Sequence, residues 1–379
     1  MKRISLILLL LSPFICVGAE RFSFVSTMIK EQLTIQVALP NSCNHSTNFK
    51  YPVLVVLDGS TQFEHISAGV QFLSSYAIIP EMIVIGVSTI HRLKNFTHTE
   101  SSKFKGRSGG AQVYTSFLQE ELLPELRDKY RIAPYEIISG HSLSGLYTSY
   151  LALTSNSEFN AAISISPSLW WDNASLVSHD KKLQKLKIEK PMRWFLSLAS
   201  EPNEMKSAFD AMLGSLNKNT PDKLVLFHAQ FPDETHDSTP LIGNNKALQA
   251  IFSGWNAVPE INVMSLAELQ KFYQSKRLEF GYEFPMSEHQ YNVYGLKASY
   301  EGKTDWGVEI LEQGAMYFKL SDIIWDSLAT AYALNNELEK AITASEKALQ
   351  LAKQYDSVFL SDIIAQNKKL QANQLVSKH

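Results

Sequence analysis

The stretch Ile137-Ile138-Ser139-Gly140-His141-Ser142-Leu143-Ser144-Gly145 decides the reading of this chain. A short apolar β-branched run leads into a serine flanked by small residues, and a helix-like segment, Leu146 to Leu153, follows. A strand that turns so tightly into a helix leaves room only for small neighbours, and it lifts the central hydroxyl above the sheet. Ser142 is therefore a candidate nucleophile. The pattern departs from strict Gly-x-Ser-x-Gly because Ser144 stands at the second glycine position, with Gly145 after it. Serine is still small, so the turn stays feasible. A Ser-rich turn of no special purpose reads the same way locally, and only partners elsewhere in the chain separate the two.

Around this turn, strand-like and helix-like segments alternate. Phe22–Met28 and Gln32–Leu39 read as an opening hairpin. Tyr51–Leu57 and Met82–Val87 are continuous apolar runs, the signature of strands buried on both faces of a parallel sheet. A helical stretch from about Gln62 to Leu73 lies between them, and a longer one spans about Val113 to Tyr130. Phe159–Ile165, Arg193–Leu198 and Leu224–Phe231 supply three further strands. Such alternation with right-handed crossovers predicts an α/β three-layer sandwich with a mostly parallel central sheet over residues 20–257. Beyond Ala257 the strand-like runs stop. Residues 258–300 read as a helical linker region. In 301–379, Trp325, Leu328-Ala329, Ala331-Tyr332, Ala341-Ile342 and Lys347-Ala348-Leu349 match the spacing of tetratricopeptide (TPR) repeats. At most two repeats fit, so this all-α extension is expected to pack on the catalytic part or on another subunit.

Composition sets outer bounds. A chain of 379 residues with 45% hydrophobic residues can bury a large core, and a net charge of −3 gives nucleic acid no basic surface. Met1-Lys2-Arg3, the apolar run Ile4–Val17 and Val17-Gly18-Ala19 read as a signal peptide cut after Ala19, which predicts a periplasmic or secreted protein. The run is too short for an ordinary membrane span. Cys43 is then the single cysteine left, so no internal disulfide or cysteine-built metal site is expected. Under a bacterial reading the sequons at Asn44, Asn95 and Asn173 are accidental.

A serine hydroxyl needs a nearby base. His236 lies in a polar loop just after the last apolar strand, at the sheet edge where the turn also sits. His65, His91 and His98 precede the serine and violate the order serine, acid, histidine. That order asks for a carboxylate between Ser142 and His236. Glu201 is the first one past the Arg193–Leu198 strand, with Glu204 the runner-up and Asp172 requiring an atypical arrangement. An oxyanion hole needs two backbone N–H groups. Leu143 is expected to give one, and Gly59, with Ser60 as the alternative, the other. Lys103, Lys105 and Arg107 precede Ser108-Gly109-Gly110 over the same edge, either as a solvated face or as an attraction for an anionic substrate.

Taken together, Val56-Leu57-Asp58-Gly59, Gly140-His141-Ser142-Leu143, Ser166-Pro167-Ser168-Leu169-Trp170-Trp171-Asp172 and Pro232-Asp233-Glu234-Thr235-His236 resemble the putative-esterase family of α/β-hydrolases. Arg92–Thr97 with Ser108-Gly109-Gly110 looks like its siderophore (enterochelin-type) esterase branch. The resemblance covers about Phe22 to Trp255. It implies an α/β-hydrolase fold, ester chemistry without metal or organic cofactor, and a place for Trp170 and Trp171 beside the acyl pocket. Two departures stand out: Ser144 replaces a glycine, and relatives of this kind sometimes work with a Ser-His dyad, which leaves the role of Glu201 open. The sequence thus points to an exported serine esterase acting on a small-molecule ester, with a protein partner or self-association through the TPR-like segment. An acyltransferase with the same residues, and an inactive core carrying a partner-binding platform, are the rival readings.

Overall fold

The computed structural model describes residues 19–155, 157–177, 186–257, 263–283 and 286–377. The expected signal peptide, apart from Ala19, lies outside them. Eight strands form one sheet: β1 Glu20–Ser26, β2 Glu31–Ala38, β3 Tyr51–Leu57, β4 Ile83–Ser88, β5 Ile132–His141, β6 Ala161–Ile165, β7 Met192–Leu198 and β8 Leu224–Gln230. Their spatial order is β1-β2-β4-β3-β5-β6-β7-β8. β1, β2 and β4 pair antiparallel, and every pairing from β4 across to β8 is parallel. All seven residues of β3 and all five of β6 are buried, as strands covered on both faces must be.

Side-chain alternation shows which helices cover which face. Ser164 of β6 meets Thr148 of the helix Leu143–Ala152 at 2.7 Å, whereas its neighbour Ile165 faces Gly243 of the helix Thr239–Ile251. Gly59–Ser75 packs beside Thr239–Ile251. Tyr114 and Phe117 belong to the helical run through residues 111–129 and form an aromatic cluster with Tyr147 and Phe96 on the Leu143–Ala152 side.

Two local differences from the sequence expectation have physical causes. β5 starts well before the apolar run Ile137-Ile138 and takes in Pro134. The β3–β5 register slips between Tyr51 and Val53, and there Pro52 and Pro134 sit without the N–H groups that a regular ladder would use. The long helix is not uniform either, because Phe117–Leu122 winds as a π-helix between Ala111–Ser116 and Leu123–Lys129.

Beyond residue 257 the described residues form six helices: Leu266–Phe280, Glu288–Tyr300, Thr304–Tyr317, Asp322–Leu334, Leu338–Gln354 and Leu360–Ser377. Ser265 with Glu268, and Ser287 with Gln290, close reciprocal capping boxes at the first two. The last five pack consecutively, drawn close by small residues. A Cβ on Gly295 would lie 2.3 Å from Leu311. These helices share the core of the sheet. Tyr135 of β5 meets Phe252, Phe280 and Tyr282 at 5.7–6.1 Å between rings, and Phe49 meets Phe318 at 5.1 Å. No helix among the described residues is long and apolar enough to cross a membrane.

Candidate active site

The turn after β5 is a strained one. Ser142 has φ 59° and ψ −113°, and Leu143 opens the following helix. For a residue with a Cβ this conformation costs on the order of 1–3 kcal/mol, and it persists only where the surroundings over-determine it. Here they do. The Ser142 N–H donates to Ile165 O at 3.0 Å, and Ser142 O accepts from the N–H groups of Ser168 and Leu146 at 2.9 Å each. A Cβ on Gly140 would stand 2.3 Å from Ser144 O, and one on Gly145 would stand 3.0 Å from Ile165 O. The small-residue requirement therefore falls on positions 140 and 145. Ser144 is fully buried and hydrogen-bonded: its Oγ accepts from the His141 N–H at 2.9 Å and lies 2.7 Å from Asp58 Oδ2.

His236 lies in the loop after β8. That loop is fastened to the end of β7 by Phe231 N–H to Leu198 O (2.8 Å) and Ser200 N–H to Glu234 O (2.9 Å). Glu201 is thereby brought against the imidazole, with Oε1 bonded to His236 Nδ1. Its other oxygen accepts from Ala199 N–H at 2.8 Å and from Ser166 Oγ at 3.0 Å. Burial works to raise the Glu201 pKa, but the bonds from His236, Ser166 and Ala199 outweigh it and hold the carboxyl below its ordinary range. Glu204 is exposed at the start of the helix Glu204–Lys218, and Asp172 sits in a left-handed turn with φ 48°. The His141 ring lies beside the imidazole, its centroid 4.4 Å from that of His236. Burial and the neighbouring imidazole pull the His141 pKa down to about 4, so it stays neutral at pH 7.

Gly59 and Leu143 are the first residues of their helices, so their N–H groups have no acceptor within the helix. Gly59 tolerates no side chain, because a Cβ would lie 2.8 Å from Gly86 C and 2.9 Å from Val87 N. Ser142, Glu201, His236 and Gly59 all follow the carboxyl ends of parallel strands, where ligands of such sheets bind.

The three residues expected to touch substrate divide. Trp170 is 41% exposed, whereas Trp171 is buried and donates from Nε1 to Thr99 Oγ1 at 3.1 Å. Arg107 lies over the Phe104 ring at 5.8 Å, as Lys103 does at 5.6 Å, and Phe104 stacks on Trp171. Phe104, absent from the sequence expectation, joins the two. Its aromatic ring between Lys103 and Lys105 was the signal. Asp58, Arg92, Ser166 and Ser168 were also missed as a set, since their pairings span tens of residues and carry no spacing pattern.

The eight-stranded sheet in this order, with a strained serine turn after β5 and an acid–histidine pair after β7 and β8, defines the α/β-hydrolase class. Within it, residues 26–205 match the model of the family described as Putative esterase. The ferri-bacillibactin esterase of Bacillus subtilis is 31% identical over 142 residues, which cover 32% of this chain and 49% of that protein. The chain thus aligns with about half the length of that relative. Among solved structures, an IroE-like serine hydrolase from Shewanella oneidensis has a TM-score of 0.70 at 24% identity, covering 79% of this chain and all of that one. An uncharacterised protein from Capnocytophaga ochracea covers 94% of this chain with a TM-score of 0.59 at 16% identity, so its likeness in fold reaches into the helical extension.

Proposed function

We propose that this chain is an exported serine esterase. Ser142 Oγ attacks the ester carbonyl while His236 takes its proton, and the carbonyl oxygen becomes an oxyanion facing the N–H groups of Gly59 and Leu143. Collapse breaks the bond to the alcohol, which leaves with the proton from His236. An acyl-Ser142 ester remains, and water, activated by the same imidazole, releases the acid. Glu201 holds Nδ1–H and so keeps Nε2 free to act as base. The observation that carries this reading is the contact between Glu201 and His236 at the strand edge where the strained Ser142 turn stands. The apolar leader Ile4–Val17 supports export.

For the substrate, the Lys103–Phe104–Arg107 group and exposed Trp170 favour an anionic aromatic ester, such as a catecholate siderophore. The siderophore esterases among the relatives support the same class. The TPR-like helices are taken as a docking surface for a protein partner or a second copy. Ser142→Ala is expected to lower p-nitrophenyl ester turnover by about 10⁴-fold or more and to abolish fluorophosphonate labelling, with an unchanged circular dichroism spectrum. Unchanged turnover in that variant sinks the mechanism. A marked preference for short aliphatic acyl esters over catecholate esters removes the siderophore reading while leaving the esterase standing.

A further inference from the structure

The serine at the fifth position of the turn belongs to a network that the reaction described above leaves unused. Asp58 follows β3 in the left-handed region (φ 54°) and precedes Gly59. Its side chain does not cap the helix that follows. Instead its carboxylate accepts from two sides. The Arg92 guanidinium donates through Nε to Oδ1 and through Nη2 to Oδ2 at 2.9 Å, and Ser144 Oγ lies 2.7 Å from Oδ2. Ser144 Oγ is also 2.9 Å from His141 O and accepts from the His141 N–H. A hydroxyl has one proton to give, and a carboxylate is the stronger acceptor, so that proton goes to Asp58. The result is a continuous line: His141 N–H to Ser144 Oγ, Ser144 O–H to Asp58, with Arg92 closing the far side.

This line joins two loops that are otherwise separate in sequence, the β3 turn carrying the Gly59 N–H and the β5 turn carrying the Leu143 N–H. We propose that Ser144 and Asp58 form a clasp that fixes the spacing of these two N–H groups, making Ser144 a positioning residue for the oxyanion. Glycine or alanine at 144 satisfies the steric demand of the turn. Neither can accept from His141 N–H or donate to Asp58, so both remove this side-chain tie and leave only the β3–β5 ladder between the two turns. Because the N–H pair matters most once charge has developed, loosening it lowers transition-state binding and leaves ground-state binding alone.

The clasp rests on Ser142 being the nucleophile, and the test separates the two ideas. Ser144→Ala, Asp58→Ala and the double variant are compared with wild type and Ser142→Ala for kcat and KM on a p-nitrophenyl ester. Inhibition is measured with a trifluoromethyl ketone, which forms an oxyanionic adduct on serine, and with its non-fluorinated parent ketone, which binds without one. Folding is checked by thermal melts. Each single variant should lose about tenfold in kcat and in trifluoromethyl ketone affinity, with KM and parent-ketone affinity unchanged. The double variant should be no worse than the poorer single one, since both cut the same line. Full kcat and full trifluoromethyl ketone affinity in a folded single variant overturn the clasp, as do strictly additive losses. A fall in both ketone affinities alike, or loss of folding in both single variants, also overturns it by assigning the contact to the fold. Turnover retained in Ser142→Ala instead fails the esterase reading itself.

Discussion

Ser142 carries a backbone conformation that glycine would adopt without strain, and this sets function against stability at a single residue. Ser142→Gly is expected to be inactive yet more stable than wild type by about 1 kcal/mol, a difference that Ser142→Ala, which keeps the Cβ, should lack. Parallel melts of the two variants check it, and equal melting temperatures would remove the strain argument. Glu201 offers a second residue-level prediction. In Glu201→Gln the amide oxygen can still accept from Ala199 N–H, which turns the amide NH₂ towards His236 Nδ1. The imidazole is then forced into the tautomer that carries its proton on Nε2, facing away from Glu201, and it cannot serve as base. kcat should fall by about 10³–10⁴-fold with little change in KM. A variant retaining near-normal kcat would mean that His236 works as half of a dyad, the arrangement that the resemblance leaves open.

At the level of elements, the turn and its neighbours succeed because each glycine answers a specific approach. Gly140→Ala would put a Cβ 2.3 Å from Ser144 O and 2.4 Å from Ser144 C, both backbone atoms that cannot rotate away. Its expected cost is about 1–3 kcal/mol together with loss of turnover, read by urea melts and ester kinetics; a stable, active variant would show that the turn is softer than drawn. The buried parallel strands were legible in sequence for the same kind of reason. Tyr51–Leu57 has no polar face to offer, so only a sheet covered on both sides accommodates it. The placement of Ser142, Glu201 and His236 past the ends of β5, β7 and β8 was legible because chain order and strand ends constrain where such residues stand. What sequence did not disclose are contacts without periodicity. The hydroxyl of Ser144 meets Asp58 across 86 positions, and the β3–β5 bulge and the π-helical Phe117–Leu122 depend on tertiary packing rather than on local preference. Serine at 144 looked like a defect in the turn, although the side chain there is tied at both ends.

The whole molecule is joined at a titratable seam. His45, in the segment between β2 and β3, pairs through Nδ1 with Glu288, the first residue of the helix Glu288–Tyr300, at 2.8 Å. Leu320 N–H donates to His45 O at 3.1 Å, so the loop before the helix Asp322–Leu334 is held there too. Behind them Glu81 accepts from the N–H and Oγ of Ser42. Burial works against a charged His45, but Glu288, with Asp322 and Glu81 nearby, outweighs it and raises its pKa above the ordinary value. Burial likewise pushes Glu81 up to about 7, against the bonds from Ser42 and the pull of His45. Both shifts act in one direction. Folded Glu81 keeps a proton that the unfolded chain has lost between about pH 4.5 and 7, so stability falls as pH rises through that window. The His45 contribution is complete below its unfolded value near 6.5 and is lost as pH rises through the higher folded one. Glu201, held below its ordinary range, acts oppositely and at lower pH, so the difference between wild type and a seam variant is the proper readout. Glu81→Gln keeps a polar partner for Ser42 and removes the titration. Its melting temperature should match wild type at pH 5 and exceed it by about 2–4 °C at pH 8. Equal melting temperatures at both pH values would mean that the seam between sheet and helices is not set by this carboxyl.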